Sequence, residues 1–369
     1  MSDLYIGLMS GTSLDGVDGV VADFSSGAPL VMAYASAPFP ADLKADLLVL
    51  NSAGPNELHR AALAGNALMR IYGQVVRDLL QRARLPASSI QAIGAHGQTV
   101  RHRPQEFDGT GYTLQLCQPA LLAELTGIDV VADFRSRDVA AGGQGAPLAP
   151  FFHQSLFSRR GEAVGVLNIG GIANLTLLRS DGTMLGFDCG PGNVLMDAWC
   201  ALHTGQAYDA DGSWAASGQV LAGLLEAMMA EPFFAKAPPK STGRDLFSLE
   251  WLNSRLPAFG KAAPADVQAT LAELTARACS ADVLRHEPGL RRLIVCGGGA
   301  LNGHLVGRLR HLLPHAQVAS SAEWGLPPLQ VEAAAFAWLA RKTIRREKLQ
   351  LESTTGARGA RVLGCVYPA

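Results

Sequence analysis

Asp188 stands where an apolar run gives way to a glycine-rich segment. The segment reads Phe-Asp-Cys-Gly-Pro-Gly-Asn over residues 187–193, and Asn193 is a good N-cap for a helix that would follow. A carboxylate at the end of a strand, near the positive end of a helix, is the right group for a general base that acts on water or on a hydroxyl. Aspartate is also common as a turn or capping residue. The residue types therefore fit either a catalytic or a capping role.

A second polar segment, residues 9–18, joins two predicted strands. The backbone amides of Gly11 and Thr12 and the hydroxyl groups of Thr12 and Ser13 would offer hydrogen-bond donors to phosphate oxygens. Asp15 could hold a magnesium ion, directly or through water, or it could cap the turn. An ordinary hairpin turn needs fewer glycine and polar positions than this segment has. The pattern favours phosphate binding.

Two further glycine-rich loops lie in the second half of the sequence. Residues 168–174 occupy the place there that residues 9–18 occupy in the first half, and two facing loops of this kind would hold a polyphosphate from both sides. Residues 295–302 run from a strand through three glycines into a helix, so that backbone could lie flat against a ring or a sugar. A structural strand-to-helix turn has the same pattern, and three glycines alone are weak support for a site.

Polar side chains also follow two predicted strands of the first half. The first group contains His96, Gln98 and Thr99, and the second contains Asp133, Arg135, Arg137 and Asp138. Arginine is suited to bidentate contact with a carboxylate. The alternatives are a turn histidine and a surface set of ion pairs. The nine histidines show no metal-ligand spacing with cysteine or carboxylate residues, which disfavours a metal hydrolase.

The elements that must position these residues occur in the same order twice. Apolar runs predict strands at Leu4–Met9 and Val164–Ile169, each the first of three short strands, and a long helix over about Asn56–Ala83. Each half then alternates helices and strands, so that both read β-β-β-α-β-α-β-α once the extra helices of the second half, among them Trp214–Met229, are set aside. The repeat lies in the pattern and not in the residues.

This duplicated order predicts an α/β protein of two ribonuclease-H-like domains. The actin, Hsp70 and sugar-kinase superfamily has that layout, with nucleotide bound in a cleft between the domains. We predict a first domain over residues 1–158, with the first phosphate loop, and a second over 159–353, with Asp188 and the later glycine-rich loops. Residues 354–369 form a tail that the sequence does not place, although Arg361–Val366 resembles a strand.

Composition and missing motifs exclude several classes of protein. The 369 residues carry 31 Lys and Arg against 32 Asp and Glu, a net charge of -1, which gives no electrostatic basis for binding nucleic acid or anionic membrane. Six scattered cysteines without a CxxC pair, and no basic signal segment, indicate a reduced cytoplasmic protein. The sequence contains no GxxxxGK[ST], GxGxxG, GxSxG or HExxH motif. Their absence disfavours a P-loop kinase, a Rossmann dehydrogenase, an α/β-hydrolase and a zincin metalloprotease, in that order.

Nine segments together resemble the anhydro-N-acetylmuramic acid kinase family of bacterial cell-wall recycling. They span nearly the whole chain in one order, and the combination is highly specific where a single glycine loop would not be. The segments are GLMSGTSLDGVD (7–18), GAHGQTVRH (94–102), DFRSRDVAAGGQGAPL (133–148), LNIGGIANL (167–175), FDCGPGNVLMDAW (187–199), KSTGRDLF (240–247), DVQATLAELTA (266–276), VCGGGALN (295–302) and EAAAFAWLA (332–340).

The resemblance implies an ATP-dependent kinase that opens the anhydro ring with water and phosphorylates the sugar. It makes Asp188 the base that activates water, places Glu332 near that water and the sugar, and implies Mg²⁺ as a cofactor and a homodimer. ATP would be held by Gly11, Thr12, Ser13, Leu14, Asp15, Gly16, Val17, Asp18, Gly170, Gly171, Asn174, Gly297, Gly298 and Gly299. The sugar would be held by His96, Gln98, Arg137, Gly143, Gln144, Gly145 and Ala146.

The chain departs from the family pattern at two places. A threonine common in the family is replaced by Cys189, which keeps the size but weakens the hydrogen bond, and residues 116–119 replace a polar stretch that the family carries there. The second departure leaves the sugar contacts there open. Two other functions remain as alternatives: an ordinary sugar kinase of the same superfamily, which would phosphorylate a free hydroxyl, and a non-catalytic ATP switch of the actin or Hsp70 kind.

Overall fold

The computed structural model describes residues 3–11, 13–27, 29–244, 246–260 and 262–369. Thr12, a predicted ATP ligand, lies outside these ranges. The chain forms two compact units. The first consists of Met1–Leu156 together with Gln330–Ala369, and the second of Phe157–Leu329.

The described part of the chain up to Phe157 forms the predicted strands and helices together with further elements that were not predicted. They are β1 (Leu4–Met9), β2 (Gly16–Asp23), β3 (Leu30–Pro38), α1 (Ala41–Val49), α2 (Glu57–Ala83), β4 (Ala92–Ala95), β5 (Gln98–Pro104), β6 (Gly111–Leu116), α3 (Pro119–Thr126), β7 (Val130–Ala132), α4 (Ser136–Ala140) and α5 (Ala149–Phe157). Helix α2 is amphipathic, because Leu68, Tyr72, Val75 and Leu79 recur at helical spacing and are fully buried.

The remaining elements follow in chain order. The second unit contains β8 (Val164–Ile169), β9 (Ile172–Leu178), β10 (Met184–Pro191), α6 (Val194–Thr204), α7 (Ser213–Ser217), α8 (Ala222–Met229), α9 (Leu249–Asn253), α10 (Pro264–His286), β11 (Arg292–Cys296), α11 (Gly303–Leu312) and β12 (Gln317–Ser320). The chain ends with α12 (Val331–Ile344), β13 (Leu349–Gln350), α13 (Glu352–Thr355), β14 (Ala360–Arg361) and β15 (Cys365–Tyr367).

Apart from the edge strand β15 of the first unit, the main sheets of the two units have the same strand order and directions. Read from the corresponding edge, the order is β3-β2-β1-β4-β7-β15 in the first unit and β10-β9-β8-β11-β12 in the second. In each, three antiparallel strands are followed by two strands that run parallel to the first of them. Each sheet contributes to its own hydrophobic core. The predicted duplication is thus confirmed at the level of topology.

Helix α12 and the tail belong to the first unit, which corrects the predicted boundary at residue 353. Strand β1 packs so closely on α12 that a Cβ at Gly7 would overlap the carbonyl oxygen of Ala333. Arg341 also donates to Asp3 at 2.7 Å. Strand β15, which lies in the tail that the sequence could not place, pairs antiparallel with β7 at the edge of the first sheet.

Candidate functional site

Asp188 lies on β10 beside a β-bulge. The register of β10 against β9 shifts between Asp188 and Gly190, which leaves Cys189 without a partner residue across the strand pair. Bulges of this kind occur near active sites, where they redirect a side chain. Asp188 pairs with Asn174 on β9, and Asn174 pairs in turn with Asn168 on β8. A carboxylate and two amides therefore form a polar row across three strands.

The main chain of residues 240–242 holds Asp188 at two points. The backbone N–H of Asp188 donates to the carbonyl oxygen of Lys240 at 3.1 Å. The backbone N–H of Thr242 donates to Oδ2 of the Asp188 carboxylate at 3.0 Å. The side chain of Asp188 is half-buried and is therefore oriented by protein while remaining accessible.

Three of the predicted loops converge around Asn193 in the second unit. The backbone N–H of Asn193 donates to the Gly170 carbonyl at 2.8 Å, and the backbone N–H of Gly192 donates to the Gly171 carbonyl at 2.9 Å. A Cβ at Gly299 would come within 3.3 Å of Asn193 Oδ1 and nearer still to Ile169. The structure thus brings together the loops 168–174, 187–193 and 295–302.

Gly297 has a left-handed backbone conformation, with φ 76°, where the third loop leaves β11. A Cβ there would overlap the side-chain oxygen of Asn168 and crowd the carbonyl of Ile169. Both the conformation and the space therefore require glycine at this position. The glycine therefore lets the start of the loop 295–302 pack directly against residues 168 and 169.

A cavity of about 260 Å³ lies beside the third loop, and the sequence analysis did not predict it. Its lining combines apolar and charged side chains. The lining residues are Asp211, Val295, Ala300, Leu301, Gly303, Val306, Arg310, Ser320 and Glu323. Asp211 also accepts from the backbone N–H of Gly303 at 2.8 Å. Val295, Ala300 and Leu301 belong to the glycine-rich segment 295–302, whereas Asp211, Ser320 and Glu323 come from other parts of the sequence and no motif marks them.

Residues 9–18, the first loop, form a turn that is anchored in the hydrophobic core and leaves few groups exposed. Leu14 and Val17 are buried in the hydrophobic core of the first unit, so only their main chain can face a ligand. Gly16 and Asp18 lie in β2, where Gly16 pairs with Pro38 and Asp18 accepts from the Tyr34 hydroxyl at 2.6 Å. Burial raises the pKa of Asp18, and the Tyr34 bond opposes that rise.

Among the described residues of the segment 9–18, Asp15 is exposed and Gly11 and Ser13 are half-buried. A Cβ at Gly11 would meet nothing closer than Ser13 Oγ, 3.8 Å away, so the backbone there faces open space. The Asp15 carboxylate is 77 % exposed, with the ammonium of Lys44 at 3.9 Å. Gln98, which is fully buried, donates to the Gly11 carbonyl at 3.1 Å and fixes the start of the turn.

His96 lies behind the first loop and connects it to the predicted sugar loop. Its Nε2 accepts from two nitrogens of Arg135, at 3.1 and 2.9 Å, so that Nδ1 carries the proton and faces the Ser10 carbonyl at 3.3 Å. Burial, with a further contribution from Arg135, lowers the pKa of His96 to about 3. Arg135 also donates to the Gly145 carbonyl at 2.8 Å. Both ring nitrogens of His96 therefore have protein partners, and the histidine links residues 9–18 to the loop 142–147.

The loop 142–147 is held by a buried carboxylate and by the C-terminal tail. Asp138, fully buried, accepts from the backbone N–H of Gly145 at 2.6 Å and from the Thr355 hydroxyl at 2.6 Å. Burial raises the pKa of Asp138. The backbone N–H of Gln144 donates to the Thr355 carbonyl at 2.8 Å. The sequence analysis missed this role of the tail because nothing local marks it.

The other residues of the first unit that are predicted to lie at or near the sugar differ in burial and in their contacts. Gly143 is buried against Asp138, and Ala146 is half-buried at the end of the loop. Arg137 is exposed on α4 and forms no ion pair with Asp133 or Asp138 in the described part of the chain. Glu332 is half-buried in the first turn of α12, where the helix N-terminus favours its negative charge.

No group of three or more His, Cys, Asp or Glu side chains within the described ranges is arranged to hold a metal ion. Mg²⁺ bound with ATP takes most of its ligands from phosphate and water and only one or two carboxylates from protein. The exposed Asp15 carboxylate fits that requirement.

None of the helices described offers the length of apolar surface that a bilayer crossing requires.

Comparison with known proteins gives matches along the whole chain. The sequence model of one family, described as anhydro-N-acetylmuramic acid kinase, matches residues 3–369. A protein of that name from Variovorax paradoxus is 67 % identical over 373 residues, which cover 100 % of this chain and 99 % of the relative. Another of that name, from Albidiferax ferrireducens, is 60 % identical over 389 residues and covers 100 % of both chains.

A solved structure shares the fold at low sequence identity. Component A of (R)-2-hydroxyglutaryl-CoA dehydratase from Acidaminococcus fermentans superposes with a TM-score of 0.51 at 11 % identity, covering 93 % of this chain and 99 % of that one. This likeness bears on the fold alone. Together with the repeated strand order, it confirms the predicted fold class, an α/β protein with duplicated ribonuclease-H-like domains.

Proposed function

The chain belongs to the anhydro-N-acetylmuramic acid kinase family, and we propose from that premise how its residues carry out the reaction. The enzyme is an ATP-dependent kinase of an anhydro amino sugar. It opens the 1,6-anhydro ring of anhydro-N-acetylmuramic acid with water and phosphorylates O6. The products are N-acetylmuramic acid 6-phosphate and ADP, and the family places the reaction in peptidoglycan recycling.

The bridge between C1 and O6 dictates the order of bond changes. O6 carries no proton in the substrate and is a poor nucleophile. Water attacks C1, the C1–O6 bond breaks, and O6 forms a bond to the γ-phosphorus while ADP leaves. One proton is released from the attacking water, and a positioned carboxylate is a suitable acceptor for it.

The observation that carries the proposal is the setting of Asp188. Its carboxylate is half-buried, projects beside a β-bulge and is oriented by the N–H of Thr242. A half-buried carboxylate that a backbone N–H orients in this way is suited to act as a general base. We assign Asp188 as the base that takes the proton from water. We assign Glu332 to orient the same water and the sugar.

The nucleotide is assigned to the glycine-rich loops and the cavity next to them. The main chain at Gly11 and Ser13 and at Gly170 and Gly171 supplies donors for phosphate oxygens. The cavity beside Gly297–Gly299 combines apolar walls with carboxylates and Arg310, a lining that suits a purine base and a ribose.

Mg²⁺ is the proposed cofactor, with Asp15 as the carboxylate that holds it together with the ATP phosphates. When bound, the ion neutralises negative charge on the phosphates. The sugar is assigned to the loop 143–146, which Asp138, Arg135 and Thr355 hold in place. Arg137, exposed on the adjoining helix, is suited to the lactyl carboxylate of the muramic sugar.

We also propose that the protein is located in the cytoplasm and forms a homodimer. All six cysteines are free thiols, which accords with a reducing cytoplasm. A homodimer is the family expectation and forms part of the proposal. Both points are separate from the chemistry.

An ADP-release assay over a panel of amino sugars tests the function. We expect turnover with the 1,6-anhydro sugar and little with N-acetylglucosamine or with N-acetylmuramic acid that lacks the bridge. Faster turnover with a sugar that has a free 6-hydroxyl would instead identify an ordinary sugar kinase. ADP release without any sugar would identify an ATPase switch.

A further inference from the structure

We propose that Lys240 is a positioning residue for the catalytic Asp188, acting through a buried ion pair with Asp282. The inference rests on the proposed role of Asp188 and extends it to the structure that supports the base. Lys240 itself has no accessible group to offer a substrate, since the residue is 6 % exposed.

The main chain next to Lys240 determines where the Asp188 carboxylate points. The Lys240 carbonyl accepts from the Asp188 backbone N–H, and Thr242, two residues on, donates its N–H to the carboxylate. Residues 240–242 therefore contact Asp188 at both its main chain and its side chain. Any shift of this segment changes the position of the carboxylate.

The segment belongs to no helix or strand, so its position depends on side-chain anchors. The strongest anchor is the Lys240 ammonium, which donates to the two oxygens of Asp282 on α10 at 2.9 and 3.2 Å. The two side chains are only 1 % and 3 % exposed. The same ammonium lies 5.0 Å from the centre of the Phe233 ring and 5.5 Å from that of Phe187.

A buried ion pair is a poor choice if stability is its only purpose. Two charges lose hydration on burial, and apolar side chains of similar volume often serve stability as well or better. What the pair adds is direction, because an ammonium that bonds both oxygens of a carboxylate fixes the segment in one place. Phe187, one of the rings beneath the ammonium, directly precedes Asp188 in β10.

A cavity next to Asp282 makes the pair open to chemical rescue. The cavity measures about 160 Å³ and is lined by Met229, Phe234, Ala235, Ala278, Ala281, Asp282 and Arg285. Truncation of Lys240 would leave a space beside Asp282 for a small alkylammonium ion. A cation that enters there would restore the charge and the hydrogen bonds without a covalent link to the chain.

The test compares Lys240→Ala with Lys236→Ala. Lys236 lies four residues earlier, is exposed, and stands 6.0 Å from the centre of the Phe233 ring, so it is a matched control. We expect kcat of Lys240→Ala to fall about 10²-fold in protein that is shown to be folded, with the KM for ATP nearly unchanged. Lys236→Ala should retain normal kcat.

Rescue separates positioning from loss of structure. Adding n-butylamine at neutral pH should raise kcat of Lys240→Ala about tenfold, whereas n-butanol, which is neutral and of similar size, should not. If Lys240→Ala does not fold, Asp282→Asn keeps the shape and a hydrogen-bond acceptor while removing the charge. It should lower kcat without altering the KM for ATP, and butylamine should not help it.

Normal kcat in the Lys240 or Asp282 variant would overturn the inference, as would an equal loss in Lys236→Ala or failure of butylamine to raise kcat of Lys240→Ala. Asp188→Asn is measured alongside these variants. If Asp188→Asn is active, the role of Asp188 itself fails. If it is inactive while Lys240→Ala is normal, only the positioning role fails.

Discussion

At the scale of single residues, main-chain groups contact the candidate base at both its backbone and its carboxylate. Thr242 orients the Asp188 carboxylate through its backbone N–H, and Asn174 lies opposite Asp188 across the strand pair. Cys189 is buried in the bulge, and burial together with a hydrogen bond to Cys279 raises the pKa of its thiol. It therefore stays a neutral thiol next to Asp188.

Replacement of Asp188 by asparagine tests the base directly. Asn keeps the shape and can still accept from Thr242, but it cannot take a proton. We expect kcat to fall by about 10²–10⁴-fold while ATP binding, measured by calorimetry, is retained. Turnover close to that of the unaltered enzyme would remove Asp188 from the mechanism.

The sequence pointed to Asp188 and to the glycine loops because their residue types are informative where they stand. It could not point to Lys240 and Asp282, which act through contact with each other across 42 positions of sequence. The contacts of His96 could not be predicted for a similar reason. Only the fold reveals that Arg135 and the Ser10 carbonyl already occupy its ring nitrogens.

At the scale of elements, long apolar runs predicted strands and helices correctly. Breaks within an element could not be predicted. Strands Leu4–Met9 and Val164–Ile169 have the predicted bounds. The predicted helix Trp214–Met229 is two helices, because the chain is extended at Gly218, where a Cβ would overlap the Ala265 carbonyl. Strand β5 and its antiparallel partner β6 were not predicted, because Arg101, His102 and Arg103 interrupt the apolar alternation along β5.

The contact between β1 and α12 gives a prediction for stability. Gly7→Ala should destabilise the fold by about 1–3 kcal/mol, because the new Cβ would overlap the main chain at Ala333. Urea unfolding followed by circular dichroism measures the loss. Gly54→Ala, where a Cβ meets nothing within 4 Å, is the matched control and should change stability by no more than about 0.5 kcal/mol. An equal effect at both positions would contradict this account of the packing.

At the scale of the whole molecule, each unit repeats one topology and adds its own loops to it. The repeated strand order was predictable from element order alone, because three short strands followed by alternating helices and strands have few compact arrangements. The assignment of residues 330–369 to the first unit was not predictable. It depends on long-range contacts of α12 with β1 and of β15 with β7, which no local pattern encodes.

The central claim is that one reaction couples opening of the anhydro ring by water to phosphorylation of O6. Turnover in ¹⁸O-labelled water tests it most directly. Oxygen from water should appear at C1 of the sugar phosphate and nowhere on the phosphoryl group, because the original O6 becomes the bridge to phosphorus. Early samples, with unlabelled product as a control, exclude exchange at the reducing C1. Label in the phosphate, or none at C1 in early samples, would contradict the coupled mechanism even if the enzyme phosphorylates a sugar.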